Sequence, residues 1–181
     1  MPRIQPVNRT TASAETQTLL NGVEKKLGKV PNLIATLAQS NALAKGYMSF
    51  SQALSSGLIP PQLREQIALA IGQANQCDYC LAAHSAIGSS VGLSEDQIRD
   101  ARSGASPDRR TEAALRFARQ IVEKRGFVSD ADISDIRNAD FGEAEITEII
   151  GHVALNMFTN YFNHIAETEV DFPAAAEVVS S

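Results

Sequence analysis

Apolar positions recur at three- and four-residue intervals along most of this chain, the period of helices with one buried face. Leu19, Leu20, Val23 and Leu27 share one face of a helix predicted from a Ser13 cap to about Leu27. Pro31 suits the start of a short helix, Asn32 to about Gln39, and Asn41 to Ser56 follows, stopped by Gly57. Pro60-Pro61 opens a helix from Gln62 to about Asn75 with Leu63, Ile67, Leu69, Ala70 and Ile71 apolar. The next runs from about Tyr79 to Val91, and Ser94 with Gln97 forms a capping box for a short helix to Arg102. After Pro107, Asp108 to Arg125 carries Ala114, Ala118, Ile121 and Val122 as a stripe and ends at Gly126. Ser129 caps Asp130 to Ala139, and a last long helix spans about Glu143 to Glu167. No segment sustains a two-residue alternation, so strands are not expected and the fold class is all-α, a helical bundle.

Two features of the pattern go beyond element boundaries. From Ile146 to Phe162 the last helix carries Ile149, Ile150, Val153, Leu155, Met157, Phe158 and Tyr161 spread well beyond the roughly 100° that one core-facing stripe needs. Burial by a second copy is the expected answer, making the chain a homo-oligomer. A slide of 79 residues also aligns Ala70-Ile71-Gly72-Gln73 with Ile149-Ile150-Gly151-His152, and sets Asn156, Thr159 and Asn163 opposite Cys77, Cys80 and His84. Read as a degenerate internal repeat of a helical hairpin, the second copy keeps the helix and loses the reactive groups.

Composition narrows the class. The 181 residues are 44% apolar and 20% charged, a globular profile long enough for a real core and read as one helical domain over residues 1–181. A formal charge of −5 without a basic run argues against nucleic acid and anionic membrane as partners. No apolar stretch reaches the roughly 18 residues of a transmembrane helix. The opening Met-Pro-Arg-Ile-Gln-Pro-Val-Asn has no signal-peptide apolar core, so a cytoplasmic location is expected.

The only two cysteines, Cys77 and Cys80, sit in one Cys-Asp-Tyr-Cys run at a predicted helix start. In a reducing compartment that spacing points to chemistry rather than a structural staple. Unpaired N–H groups at a helix start favour thiolate, the nucleophilic form. A thiol lowered from about 8.5 to about 6.5 rises from roughly 3% to roughly 75% thiolate at pH 7. His84 lies four residues after Cys80, on the same face one turn on, where an imidazole can take the thiol proton. Cys77, seven residues from His84, is about 10 Å from it along the axis, which favours Cys80 as nucleophile and leaves Cys77 to close the disulfide. If the two helices form a hairpin turning near Gln76, Glu65 lies about one turn from His84, within reach of a water bridge, to orient the imidazole.

A glutamate twelve residues before Cys-x-x-Cys and a histidine four after it resembles the alkylhydroperoxidase D core of the carboxymuconolactone decarboxylase superfamily. The match is close from Leu63 to Val91, with the redox core at about 61–92. Val30-Pro31-Asn32, Asn160-Tyr161-Phe162-Asn163-His164 and Asp171-Phe172-Pro173 look like the peroxidase-related branch, extending the resemblance to about residues 30–173. It implies an oligomeric, all-helical alkylhydroperoxidase D-like fold in which Cys80 becomes a sulfenic acid on reducing a small hydroperoxide. Cys77 is then the resolving cysteine, and His84 and Glu65 the proton relay. No cofactor and no metal are implied; an external dithiol, a reductant protein or small thiol, resets the pair. One position departs from the best-known members: Tyr79 stands where they have histidine, and a phenol of pKa about 10 is a poor base near neutrality.

Other readings of the same residues remain open at this level. Cys77 and Cys80 also read, less favourably, as plain buried thiols, and with His84 they supply three ligands for zinc, short of the usual four of a structural site. That would make the chain a zinc-stabilised interaction module. A decarboxylase or lactone-processing enzyme on the same fold would need no thiols. Tyr79 reads as packing, His152 and His164 as structural, and the Arg102–Arg110 stretch as a solvated loop.

Overall fold

The computed structural model describes residues 1–175, which fold into nine α-helices and no strand. In chain order these are α1 (Ala14–Leu27), α2 (Asn32–Leu37), α3 (Asn41–Ser55), α4 (Pro61–Ala74), α5 (Asp78–Ser90), α6 (Glu95–Ser103), α7 (Arg109–Glu123), α8 (Asp130–Asn138) and α9 (Glu143–Ala166). All nine fall where the apolar period and the caps predict, within about two residues at each end. Ser13, Ser94 and Ser129 accept the backbone N–H three residues on, as N-caps do. Among the described residues no helix is long and apolar enough to cross a membrane.

The bundle is organised around α4, which packs against α5, α6, α7 and α9. Its residues from Gln66 to Gly72 are all buried, so it presents no solvent face through that stretch, as a central helix must. Fully enclosing Ile67, Leu69 and Ile71 is worth about 1.5–3 kcal/mol each. One apolar cluster joins α4 to α6–α9 through Leu115, Phe117, Ile136 and Ile149. A second joins α1–α3 to the start of α5, where Leu20, Leu33, Leu37 and Ala44 surround Cys77, Tyr79 and Cys80. The thiols thus lie beneath the N-terminal helices.

Two sequence expectations need correction. Arg102 is not in a solvated loop: it ends α6, is buried, and its Nε–H donates to Gln73 Oε1 at 3.0 Å. The two segments aligned by the 79-residue slide differ locally. Residues 70–84 contain the break between α4 and α5, whereas residues 149–163 are an unbroken stretch of α9. His164 is exposed, while His152 is buried inside the bundle.

Candidate active site

The Cys-x-x-Cys segment is held by two helix ends at once. α4 finishes in a Schellman motif: Cys77 N–H donates to Gly72 O at 2.9 Å and Gln76 N–H to Gln73 O at 3.1 Å. The left-handed position of that motif is Gln76, at φ 55°, where glycine is usual. The next residue, Cys77, is already the N-cap of α5, its carbonyl accepting from Leu81 N–H at 2.9 Å. Cys80 therefore occupies the third position of the helix.

Glu65 on α4 and His84 on α5 meet directly. His84 Nδ1 lies 2.7 Å from Glu65 Oε2, the carboxylate accepting from the ring N–H. The expected one-turn gap with a bridging water is thus closed by the direct contact of the two side chains. Burial alone would lower the imidazole's pKa, but the charge and hydrogen bond of Glu65, with the negative charge of Cys77, raise it above the ordinary value. The shift favours the protonated ring beside the thiols more than in a free imidazole.

The cysteines are both free and almost wholly enclosed, with Cys77 1% and Cys80 3% exposed. They titrate as a pair. The Cys77 thiol is drawn down, first by the hydrogen bond from the Cys80 S–H, against burial, and then by the Cys80 N–H, the Asn163 amide and His84. The Cys80 thiol is pushed up by that same bond, by burial and by the negative charge of Cys77, against the pull of Asn163 and Asn160. Of the two thiols, the one drawn down is thus the N-cap Cys77, rather than Cys80 as its spacing to His84 had suggested. Cys80 is instead contacted from α9: the side-chain N–H of Asn160 donates to its Sγ at 3.0 Å and that of Asn163 at 3.3 Å.

Tyr79 is locked away from any relay. Its hydroxyl accepts from Leu33 N–H at 3.1 Å and donates to Asp171 Oδ1 at 2.9 Å, while Phe172 meets its ring edge-on. Asp171 also accepts from Asn32 N–H and pairs with Lys29, which sits 3.8 Å over the Phe172 ring. Burial, with Asp171 adding to it, pushes the phenol far above its ordinary range. Tyr79 thus straps the C-terminal segment across α2.

Glu65 and His84 face a cavity of about 200 Å³ where α3, α4, α5 and α9 meet, lined also by Tyr47, Arg64, His152 and Asn156. Burial and the nearby charges of Cys80 and Glu65 push the Tyr47 hydroxyl up to about 12. Burial and then the Arg64 charge lower the His152 pKa, and its buried Nε2 has no hydrogen-bond partner. A larger open groove between α1 and α3 offers only the Lys45–Glu15 ion pair. Among the described residues no group of three or more His, Cys, Asp or Glu is arranged to hold a metal ion. Sequence reasoning brought Glu65, Cys77, Cys80 and His84 together here and missed Asn160, Asn163 and His152 as neighbours. Their signal was legible: Asn156, Thr159, Asn160 and Asn163 occupy helical core spacing, where polar residues are costly.

Residues 41–124 match the model of the carboxymuconolactone decarboxylase family. The fold is that of an uncharacterized peroxidase-related protein with an alkylhydroperoxidase D core from Ralstonia eutropha JMP134, at TM-score 0.85 and 23% identity over 94% of this chain and 92% of that one. An uncharacterized peroxidase-related protein from Silicibacter sp. TM1040 superposes at 0.80, 22% identical over 92% of each chain. So does the debrominase Bmp8, as a cysteine-to-alanine variant in complex with 2,3,4-tribromopyrrole, at 0.80 and 21% identity over 93% and 91%. No curated protein matches the chain. The family resemblance and the alkylhydroperoxidase D-like fold expected from the motif are both found.

Proposed function

We propose, from a carboxymuconolactone decarboxylase-family segment on an alkylhydroperoxidase D-like fold, that this chain is a thiol-dependent peroxidase acting on small hydroperoxides. The observation that carries the reading is the meeting of two thiols at one helix start with the Glu65–His84 pair beside them. In the reactive form the pair shares one proton, carried by the Cys80 S–H beside a Cys77 thiolate, the thiol with the lowered pKa. Transfer of that proton to Cys77 frees the Cys80 thiolate, which attacks the terminal oxygen of R–O–O–H. The O–O bond breaks, sulfur is oxidised by two electrons to S–OH, and the alkoxide takes a proton from the His84 imidazolium to leave as alcohol. The Cys77 thiol then gives its proton to the neutral imidazole and attacks the Cys80 sulfur. The S–O bond breaks and hydroxide leaves, taking that proton as water, so the ring ends neutral and the pair is a disulfide. An external dithiol restores the reduced pair, and the cavity at His84 is the way in for the peroxide.

Peroxide consumption with single variants tests this. Cys80→Ser should abolish it, while Cys77→Ser should allow one oxidation and leave a sulfenic acid that a dimedone-type reagent traps on Cys80. An adduct on Cys77 in the Cys80→Ser protein would reverse the two roles, a possibility the lowered Cys77 pKa supports. Two other chemistries fit the fold. Turnover surviving loss of both thiols would support decarboxylation or lactone processing. A disulfide that forms with a bromopyrrole and not with a hydroperoxide would assign reductive debromination to the same pair.

A further inference from the structure

α9 turns a row of buried polar residues toward the thiols, and two of them converge on one atom. Asn160 is fully enclosed, and its side-chain N–H lies 3.0 Å from Cys80 Sγ. Its orientation is fixed from behind, because Asn160 Oδ1 accepts from the Asn75 amide at 2.9 Å, at the C-cap of α4. Asn163, one turn along, places its own N–H 3.3 Å from the same sulfur. Its Oδ1 is buried and has no partner. A neutral thiol is a weak acceptor, so two amide donors on one sulfur are well matched only when that sulfur carries negative charge. An apolar side chain at either position would fill the space without the desolvation cost of an amide.

We propose that Asn160 and Asn163 are catalytic residues that stabilise the Cys80 thiolate as it attacks, and that the free carbonyl of Asn163 receives the O–H of the peroxide oxygen and then of the sulfenic acid. This rests on the thiol chemistry proposed above. As the S–O bond forms and the O–O bond breaks, the electron pair leaves on the alkoxide. The hydrogen stays on the transferred oxygen, where Asn163 Oδ1 holds it. Asn75 is a positioning residue, acting through Asn160. The sulfenic acid is thus held with its oxygen toward α9.

The test is an ultraviolet thiolate titration in the Cys77→Ser protein, where Cys80 titrates alone and no peroxide is needed. Asn160→Leu and Asn163→Leu should each lower the thiolate fraction at neutral pH about tenfold, the size expected for one hydrogen bond to a charged group. Asn156→Ala serves as a buried-amide control, since that side chain bonds its own helix at His152 O, and it should leave the titration in place. If the leucine variants fail to fold, Asn163→Asp keeps the volume and replaces the N–H donor with a second oxygen, and it should suppress the thiolate further. Dimedone trapping should show a shorter-lived sulfenic acid in both folded Asn163 variants. A titration that matches the parent in folded Asn160 and Asn163 variants overturns the proposal. A shifted titration in a protein whose parent consumes no hydroperoxide would reject the peroxidase reading and the peroxide-binding role of Asn163, and keep the stabilisation of the Cys80 thiolate by the two amides.

Discussion

Replacing Glu65 by glutamine separates the charge of the Glu65–His84 pair from its shape. The carboxylate accepts from His84 Nδ1–H at 2.7 Å, and the two side chains are only 15% and 23% exposed, so water compensates poorly for its loss. A glutamine oxygen can still accept from the ring, so the folding cost is the difference between a charged and a neutral acceptor, about 1–2 kcal/mol. The pH dependence is more telling. With Glu65 present the folded imidazole binds its proton more tightly than the unfolded one. The pair's contribution is then fully present below the ordinary histidine pKa and fades as pH rises through the raised folded value. Glu65→Gln leaves burial as the largest influence, which lowers the imidazole pKa. The sign then reverses, and the variant loses stability as pH falls through the depressed value. Urea unfolding at several pH values between the carboxylate and thiol ranges reads the two slopes, and NMR titration of His84 reads the cause. Peroxide turnover should fall by about 10²–10⁴, as when a general acid–base partner is disabled. Equal slopes and equal turnover in the two proteins would make Glu65 and His84 a packing pair and refute the relay.

Tyr79→Phe removes the acceptor of the buried Leu33 N–H and the donor to Asp171, and should cost about 1–3 kcal/mol in chemical denaturation; an unchanged midpoint would show that the C-terminal strap contributes nothing. Gln76→Gly relieves a side chain held at φ 55° in the turn before Cys77, and should raise the thermal midpoint by about 0.5–1 kcal/mol of stability; a lowered midpoint would contradict the strain argument. Ile150, Tyr161 and Ile165 on α9 stand 46%, 54% and 63% exposed, so the chain should scatter light as a homo-oligomer at low micromolar concentration and keep that mass at high salt. A clean mass near 19 kDa would sink it.

The helices were legible because their ends carry their own chemistry. Serine caps at residues 13, 94 and 129, prolines at the start of α4 and glycines after α1 and α6 act within a turn of the chain. The spacing of Glu65, Cys77, Cys80 and His84 was legible for the same reason, since all four lie on one helical hairpin. What spacing alone does not fix is the exact level at which two helices meet. The Glu65 and His84 side chains meet directly where a water bridge was expected. Nor does local spacing say which of the two thiols is drawn down, here the N-cap Cys77. Contacts from distant segments were hidden altogether: Asn160 and Asn163 reach Cys80 from 80 and 83 residues away, and Asp171 reaches Tyr79 from 92. Arg102 reads as solvated beside Arg109 and Arg110, yet the packing of α6 on α4 buries it against Gln73.

The most direct test of the central claim is the intact mass of the fully reduced protein before and after one equivalent of an alkyl hydroperoxide. Attack by Cys80 and closure by Cys77 predict a loss of two hydrogens, restored by an external dithiol and absent in either cysteine-to-serine variant. An unchanged mass with the peroxide still present would contradict thiol-dependent peroxide reduction by this chain.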